Sequence, residues 1–150
     1  MTHHPATILL AEDNPAHAML VQRRLECHKL KNAVFHVSDG EAALDFLFRR
    51  GDYTDPSLSP RPDVVLLDLR MPRIDGLEVL QKVKSNNRLA TIPVVVLTTS
   101  EADSDIDKAY EYRANSYLVK PIDFTAFSEM IENFGSYWLS WNRFAGCPAP

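Results

Sequence analysis

The chain has 150 residues, of which 45% are hydrophobic and 24% charged, a composition typical of one globular domain and not of a disordered or fibrous chain. Its 16 basic and 20 acidic residues give a net charge of -4, so neither nucleic acid nor an anionic membrane surface is an expected partner. No apolar run approaches the roughly 18 residues that cross a bilayer, and no signal-peptide pattern opens the chain. We therefore expect a cytoplasmic protein.

Five short apolar runs predict five β-strands. Strands that are apolar on both faces belong in a parallel sheet that helices cover on both sides. Hydrophobic positions between the runs recur at helical spacing, which predicts a (βα)5 order in the α/β class. The five runs are Thr7–Ala11, Ala33–Val37, Val64–Leu67, Val94–Leu97 and Ser116–Val119.

Capping and turn signals agree with this order. Asn14 followed by Pro15 predicts an N-cap and a first-turn proline, so the first helix starts directly after the first strand. Asn115 is expected to adopt the left-handed conformation that ends the fourth helix. Residues 49–62 contain one glycine and three prolines, and they predict an irregular insertion before the third strand.

The last predicted helix continues into an aromatic C-terminal segment. We divide the chain into a domain at residues 1–134 and an aromatic extension at 135–150. The aromatic side chains of the extension either fold back on their own domain or meet a second copy, and their number favours a symmetric homodimer. The hydrophobic stripe of this helix comprises Phe124, Phe127, Ile131, Phe134, Trp138 and Trp141.

Polar side chains follow four of the predicted strands at their carboxyl ends, where parallel α/β sheets bind ligands. Three of them are carboxylates, which repel one another and therefore predict a bound cation. Oxygen ligands without a closed cage favour Mg²⁺ that is shared with a phosphate. The five residues are Glu12, Asp13, Asp68, Thr98 and Lys120.

Asp68 is the candidate nucleophile, because it follows a strongly apolar strand near the centre of the predicted sheet. A carboxylate that accepts a phosphoryl group needs positive charge and hydrogen-bond donors around the phosphoryl oxygens. Lys120 and Thr98 supply both. The five histidines show no ligand spacing with the cysteines, so structural roles are expected for them.

Four motifs carry these residues: LAEDNP at 10–15, LLDLRMP at 66–72 with DG at 75–76, VLTTS at 96–100 and YLVKP at 117–121. With this pattern the sequence resembles the receiver domain of two-component response regulators over about residues 7–134. The resemblance implies a flavodoxin-like sheet with strand order 2-1-3-4-5.

The resemblance also implies which residues bind the metal and the phosphoryl group. Asp68 would accept a phosphoryl group from a sensor histidine kinase. Glu12, Asp13 and Asp68, with the backbone carbonyl of Arg70, would hold Mg²⁺. The Arg70 side chain itself could contact the phosphoryl group or an acid at the same edge, or extend into water.

Three further residues would bind the phosphoryl oxygens or respond to them. Thr98 and Lys120 would bind the oxygens, and Tyr117 would turn inward when the threonine moves. The face formed by the fourth helix, the fifth strand and the fifth helix would then change, and with the C-terminal aromatics it would form the homodimer. The resemblance also suggests a cis bond between Lys120 and Pro121.

The insertion, the Thr98-Thr99-Ser100 triplet and the lack of an output domain resemble the stand-alone regulators paired with phytochrome-type histidine kinases. The implied function is a single-domain switch that modifies only itself and is not an enzyme acting on other substrates. A Mg²⁺-dependent phosphatase with an aspartate nucleophile is one alternative, but it needs a second acid where Arg70 stands. A constitutive interaction module is the other, and it would be expected to lack at least one site group.

Overall fold

The computed structural model describes residues 5–145 and contains one five-stranded parallel sheet with the order β2-β1-β3-β4-β5. This confirms the predicted flavodoxin-like order. Each strand lies within about one residue of its predicted bounds, because buried apolar runs define strands well. The strands are β1 (Ala6–Ala11), β2 (Asn32–Val37), β3 (Val64–Leu67), β4 (Val94–Thr98) and β5 (Ser116–Val119).

Helices cover both faces of the sheet. Helices α1 and α5 pack on one face, and α2, α3 and α4 pack on the other. Side chains of β1 alternate between the two layers: Ile8 and Leu10 face α1 and α5, while Leu9 and Ala11 face the opposite layer. The helices are α1 (Pro15–Glu26), α2 (Gly40–Phe48), α3 (Gly76–Lys84), α4 (Asp103–Glu111) and α5 (Phe124–Gly135).

The start of α1 confirms the predicted cap. The Asn14 side chain accepts hydrogen bonds from the backbone N–H groups of Ala16 (2.9 Å) and His17 (3.2 Å), and Pro15 occupies the first turn. A capped start satisfies donors that the helix itself leaves unpaired. The chain therefore turns into α1 immediately after β1, which keeps residues 12–17 at the carboxyl edge of the sheet.

The prediction for Asn115 is wrong, because Arg113 holds the left-handed conformation (φ 71°) at the end of α4. The Asn115 side chain instead accepts hydrogen bonds from Lys84 Nζ (3.0 Å) and from the backbone N–H of Val94 (2.9 Å). Lys84 is only 6% exposed, and a buried ammonium is costly without acceptors. Asn115 therefore serves as a hydrogen-bond acceptor for the buried Lys84 ammonium, and not as the residue that ends α4.

The predicted insertion is an ordered loop. Arg49 ends α2 in the left-handed region (φ 54°), and a short 3-10 turn follows at Gly51–Tyr53. The Ser59 hydroxyl donates to the Tyr53 carbonyl (2.8 Å), and Arg61 Nη1 donates to the Leu47 carbonyl (2.6 Å). These bonds hold the loop against the end of α2, beside the amino-terminal edge of the sheet.

The chain after α5 continues as a π-helical segment, Ser136–Trp141. Trp138 stacks on Phe144 with 6.3 Å between ring centroids, and both pack against the α1/α5 core. Tyr137 and Trp141 are 53% and 81% exposed. Residues 146–150 of the predicted extension lie outside the described part. Among residues 5–145 no helix combines the length and apolar character that crossing a membrane requires.

Replacing Asn115 should destabilise the fold. Asn115→Ala removes an acceptor from the buried Lys84 ammonium and from the Val94 N–H, so we expect the free energy of unfolding to fall by about 2 kcal/mol. Urea denaturation measures this. Asn87→Ala, at an exposed position, is the control and should change little; equal stability of the two variants would contradict the role assigned to Asn115.

Candidate functional site

Three acidic side chains meet at the carboxyl edge of the sheet. The oxygens of Glu12, Asp13 and Asp68 lie within 4.8 Å of one another. The sheet register brings them together, because the Asp68 N–H bonds to the Ala11 carbonyl (3.0 Å) just before Glu12. Glu12 and Asp68 are 1% and 6% exposed, whereas Asp13 is exposed.

Lys120 joins this cluster from the end of β5. Its Nζ donates to Glu12 Oε1 and to Asp68 Oδ2, the latter at 3.0 Å. Its backbone N–H bonds to the Thr98 carbonyl (2.7 Å), which fixes it beside the end of β4. No peptide bond among residues 5–145 is cis. The cis expectation for the bond to Pro121 is therefore not met, and the bond has the trans form that is the lower-energy default.

Burial strongly affects the charge of Glu12. Burial raises the pKa of Glu12 from 4.5 to about 7; the Lys120 hydrogen bond opposes this rise, and the neighbouring Asp68 adds to it. Removing a carboxylate from water penalises its charged form. A second cation at the cluster would favour the ionised form, as Lys120 already does.

The cluster fits a hard divalent cation. The Lys120 ammonium pairs with the Glu12 and Asp68 carboxylates and not with Asp13 among the described contacts, which leaves negative charge uncompensated when all three carboxylates are ionised. All the available donor atoms are oxygens, the ligands that Mg²⁺ prefers, and the exposed Asp13 leaves one side open to water and phosphate. The Arg70 N–H bonds to Asp68 Oδ1 (3.1 Å), so the Arg70 main chain also lies beside the cluster.

Of the three possibilities for the Arg70 side chain, which were contact with the phosphoryl group, contact with an acid at the same edge, or extension into water, the structure shows contact with an acid. Its guanidinium pairs with Asp105 on α4, and the Ser100 hydroxyl donates to the same carboxylate (2.6 Å). Sequence reasoning did not single out Asp105 or this use of Ser100. In the sequence, only their position after β4, with Ser100 in the loop and Asp105 in the first turn of α4, could have indicated that they lie near the site.

Thr98 and Tyr117 lie on neighbouring strands at the same edge. Thr98 is fully buried at the end of β4, and its Oγ1 accepts from the Ser100 N–H at 3.4 Å. The Tyr117 hydroxyl donates to the Ser100 carbonyl (2.9 Å). Both candidate switch residues therefore contact Ser100, which also bonds to α4 through Asp105.

His17 is a further site residue that was not predicted from the sequence. Its Nδ1 lies 3.1 Å from Lys120 Nζ, although the histidines were expected to have only structural roles. Burial lowers the pKa of His17, and the Lys120 charge lowers it further. Its position one helical turn after Asp13 was the available signal, since residues in the first turn of α1 lie at the carboxyl edge of the sheet.

Comparison with known proteins identifies the class to which this fold and acidic cluster belong. Residues 8–132 match the family model of the response regulator receiver domain. The chain belongs to this family, as its four motifs predicted.

The relatives include phytochrome response regulators. The chain is 48% identical over 142 residues to the probable methanogenesis regulatory protein FilR2 of Methanothrix harundinacea, covering 95% of this chain and 89% of FilR2. It is 42% identical to response regulator Rcp1 of Synechocystis over 90% of each chain. The structure of the phosphorylated cyanobacterial phytochrome response regulator RcpA superposes with a TM-score of 0.91 at 35% identity, covering 95% of this chain and all of RcpA. The Mn²⁺-bound form of Rcp1 gives a TM-score of 0.89 at 40% identity, over 97% of this chain and all of Rcp1.

Magnesium affinity should depend on pH. With the pKa of Glu12 at about 7, a proton competes with the metal below neutrality, so affinity should fall about tenfold from pH 8 to pH 6. Mg²⁺ titrations followed by amide NMR shifts measure this. Glu12→Gln removes the titrating group and should flatten the profile while weakening binding. An unchanged pH dependence in that variant would exclude Glu12 as its origin.

Proposed function

We propose that the chain is a cytoplasmic single-domain response regulator that accepts a phosphoryl group on Asp68 from a histidine kinase. The observation that carries this proposal is the position of Asp68. Its Oδ2 accepts from Lys120 Nζ at 3.0 Å, and its oxygens lie within 4.8 Å of those of Glu12 and Asp13. A nucleophilic carboxylate, a cation and a metal-binding set are thereby held at one point of the sheet edge.

The proposed reaction makes one bond and breaks one. An Asp68 carboxylate oxygen attacks phosphorus, and the bond from phosphorus to the donor breaks. The leaving group is acetate when acetyl phosphate is the donor, or a histidine imidazole that takes up a proton from water when a kinase is the donor. Glu12, Asp13, Asp68 and the Arg70 carbonyl would hold Mg²⁺, which would supply positive charge for the phosphoryl oxygens.

Lys120 and Thr98 have separate roles in this reaction. Lys120 exchanges its bond to Asp68 for one to a phosphoryl oxygen. The Thr98 hydroxyl donates to another phosphoryl oxygen and moves toward it. Both residues lie at the ends of adjacent strands, β4 and β5, where the backbone bond between them keeps their spacing.

The signal leaves the site through Ser100 and α4. A phosphoryl group adds about two negative charges, close to the Arg70 guanidinium that pairs with Asp105 in this structure. Attraction of Arg70 and Thr98 toward the phosphoryl group weakens their contacts with Asp105 and Ser100. Tyr117, bonded to the Ser100 carbonyl, then turns inward, and the α4–β5–α5 face changes shape.

The partner is a sensor histidine kinase of the phytochrome type. The relation to RcpA and Rcp1 over nearly the full length supports this choice. Phosphotransfer from an autophosphorylated phytochrome-type kinase of the same organism tests it, with an unrelated histidine kinase as the control. Equal transfer rates from both would contradict the assignment.

Phosphorylation itself is tested by intact mass. Acetyl phosphate with Mg²⁺ should add one phosphoryl group, and hydroxylamine, which cleaves acyl phosphates, should remove it. Asp68→Asn should abolish the addition, whereas Asp103→Asn, an exposed carboxylate on α4, should leave it intact. An adduct that survives hydroxylamine, or one retained by Asp68→Asn, rejects Asp68 as the acceptor.

The same experiment separates the switch from the two alternatives. A phosphatase releases inorganic phosphate from substrate in many turnovers without retaining a stable adduct. An interaction module without chemistry forms no adduct at all. The pairing of Arg70 with Asp105 supports the switch, because the second acid that a phosphatase would use two residues after Asp68 is replaced by an engaged cation.

A homodimer through the α4–β5–α5 face and the extension at 135–150 is part of the proposal. Exposed large apolar side chains on this side of the molecule support it, since monomers rarely leave such groups in water. Trp138 and Phe144 are partly buried against their own domain, so the interface depends mainly on other side chains. The exposed residues are Tyr110, Ile122, Phe124, Tyr137 and Trp141.

Substitution of Trp141 tests the dimer more cleanly than truncation, which would also remove the packed Trp138. Trp141→Ser should shift the sedimentation coefficient from dimer toward monomer at equal concentration, because it removes a large apolar contact. Leu58→Ser, 60% exposed in the insertion, is the control and should remain dimeric. The interface is contradicted if the wild type is a monomer, or if Trp141→Ser sediments as a dimer like the wild type.

A further inference from the structure

The three ammonium hydrogens of Lys120 have three acceptors within the site. Two are carboxylate oxygens of Glu12 and Asp68, and the third is His17 Nδ1 at 3.1 Å. The two carboxylates belong to the proposed metal site, so their oxygens would also act as metal ligands. His17 is the acceptor that belongs to neither the metal set nor the phosphoryl acceptor.

The His17 ring is held in place from two directions. Its backbone N–H is bound by the capping oxygen of Asn14 (3.2 Å), which fixes the first turn of α1. The His17 and Phe127 rings pack in an edge arrangement, with 5.5 Å between their centroids and 65° between their planes, and Phe127 is 1% exposed. The Nδ1 lone pair therefore has a defined direction toward the end of β5.

We propose that His17 is a positioning residue for phosphoryl transfer: it holds one hydrogen of the Lys120 ammonium and thereby aims the others at the phosphoryl oxygen on Asp68. This rests on the proposed function. Once Asp68 is phosphorylated, its attacking oxygen becomes part of an acyl phosphate and its negative charge moves to the phosphoryl group. The ammonium must then turn toward that group while Glu12 continues to attract it.

A neutral acceptor suits this role better than a third carboxylate. Burial and the Lys120 charge lower the pKa of His17, although Asp68 and Asp13 oppose this, and the net lowering favours the uncharged ring. A neutral ring therefore accepts the hydrogen bond without adding charge that would compete with the phosphoryl oxygens. It limits the ammonium to rotation about one fixed bond, which lowers the cost of reorganisation in the transition state.

Two variants separate the hydrogen bond from the ring packing. His17→Asn retains an acceptor, because the asparagine Oδ1 corresponds in position to the histidine Nδ1. His17→Phe retains a ring against Phe127 and removes the acceptor. Met19→Ala, on the same helix and 49% exposed, is the control for effects of substitution in α1.

The first measurement is the rate of phosphorylation by acetyl phosphate, with the maximal rate and the half-saturating concentration determined separately. We expect His17→Phe to lower the maximal rate about tenfold, the effect of losing a hydrogen bond to a charged group. His17→Asn should stay within about threefold of wild type, and Met19→Ala should not differ from it. The reverse order, with phenylalanine active and asparagine slow, would assign His17 to packing and overturn the proposal. Equal rates in all variants, or an equal loss in the asparagine and phenylalanine variants, would overturn it as well.

The second measurement does not require phosphorylation. Hydrogen exchange of the Lys120 ammonium, followed by ¹⁵N NMR without acetyl phosphate, should be faster in His17→Phe than in wild type and unchanged in His17→Asn. If wild type forms no adduct, the proposed function fails and this measurement alone decides whether His17 holds the ammonium. Unchanged exchange in His17→Phe overturns the His17 role even if Asp68 is phosphorylated normally.

Discussion

The meeting of buried carboxylates with the Lys120 ammonium is the interaction on which the site depends. Glu12 and Asp68 are almost completely buried, and such charges are unfavourable unless a cation compensates them. One ammonium cannot compensate three ionised carboxylates, so the charge of the cluster favours a further cation.

The architecture explains why these groups meet although they lie far apart in the chain. In a parallel sheet every strand ends at the same edge, so the five polar residues at the ends of four strands lie together. The cap at Asn14 starts α1 immediately after β1, so the chain turns at the carboxyl edge beside the acids. The same turn places His17 beside Lys120, which links the helix start to the end of the outermost strand.

The contacts that join the site to α4 are more exposed to water than the acidic cluster. The Arg70–Asp105 pair lies partly in water, with the arginine side chain 62% exposed, and such pairs contribute little to stability. A contact of small net free energy suits the proposed switch, in which the phosphoryl group displaces it. Ser100 connects α4 with β5, since its hydroxyl donates to Asp105 on α4 and its carbonyl accepts from Tyr117 on β5.

The sequence by itself determined the strands, the (βα)5 order and the five polar residues of the edge, because buried runs and strand ends are local patterns. It also determined the Asn14 cap, which depends on adjacent residues only. Tertiary structure decided what Asn115, Arg70 and His17 do, since each bonds to a partner distant in sequence: Lys84, Asp105 and Lys120. Those choices depend on which buried or charged group lacks a partner after the chain folds, and no local pattern encodes that.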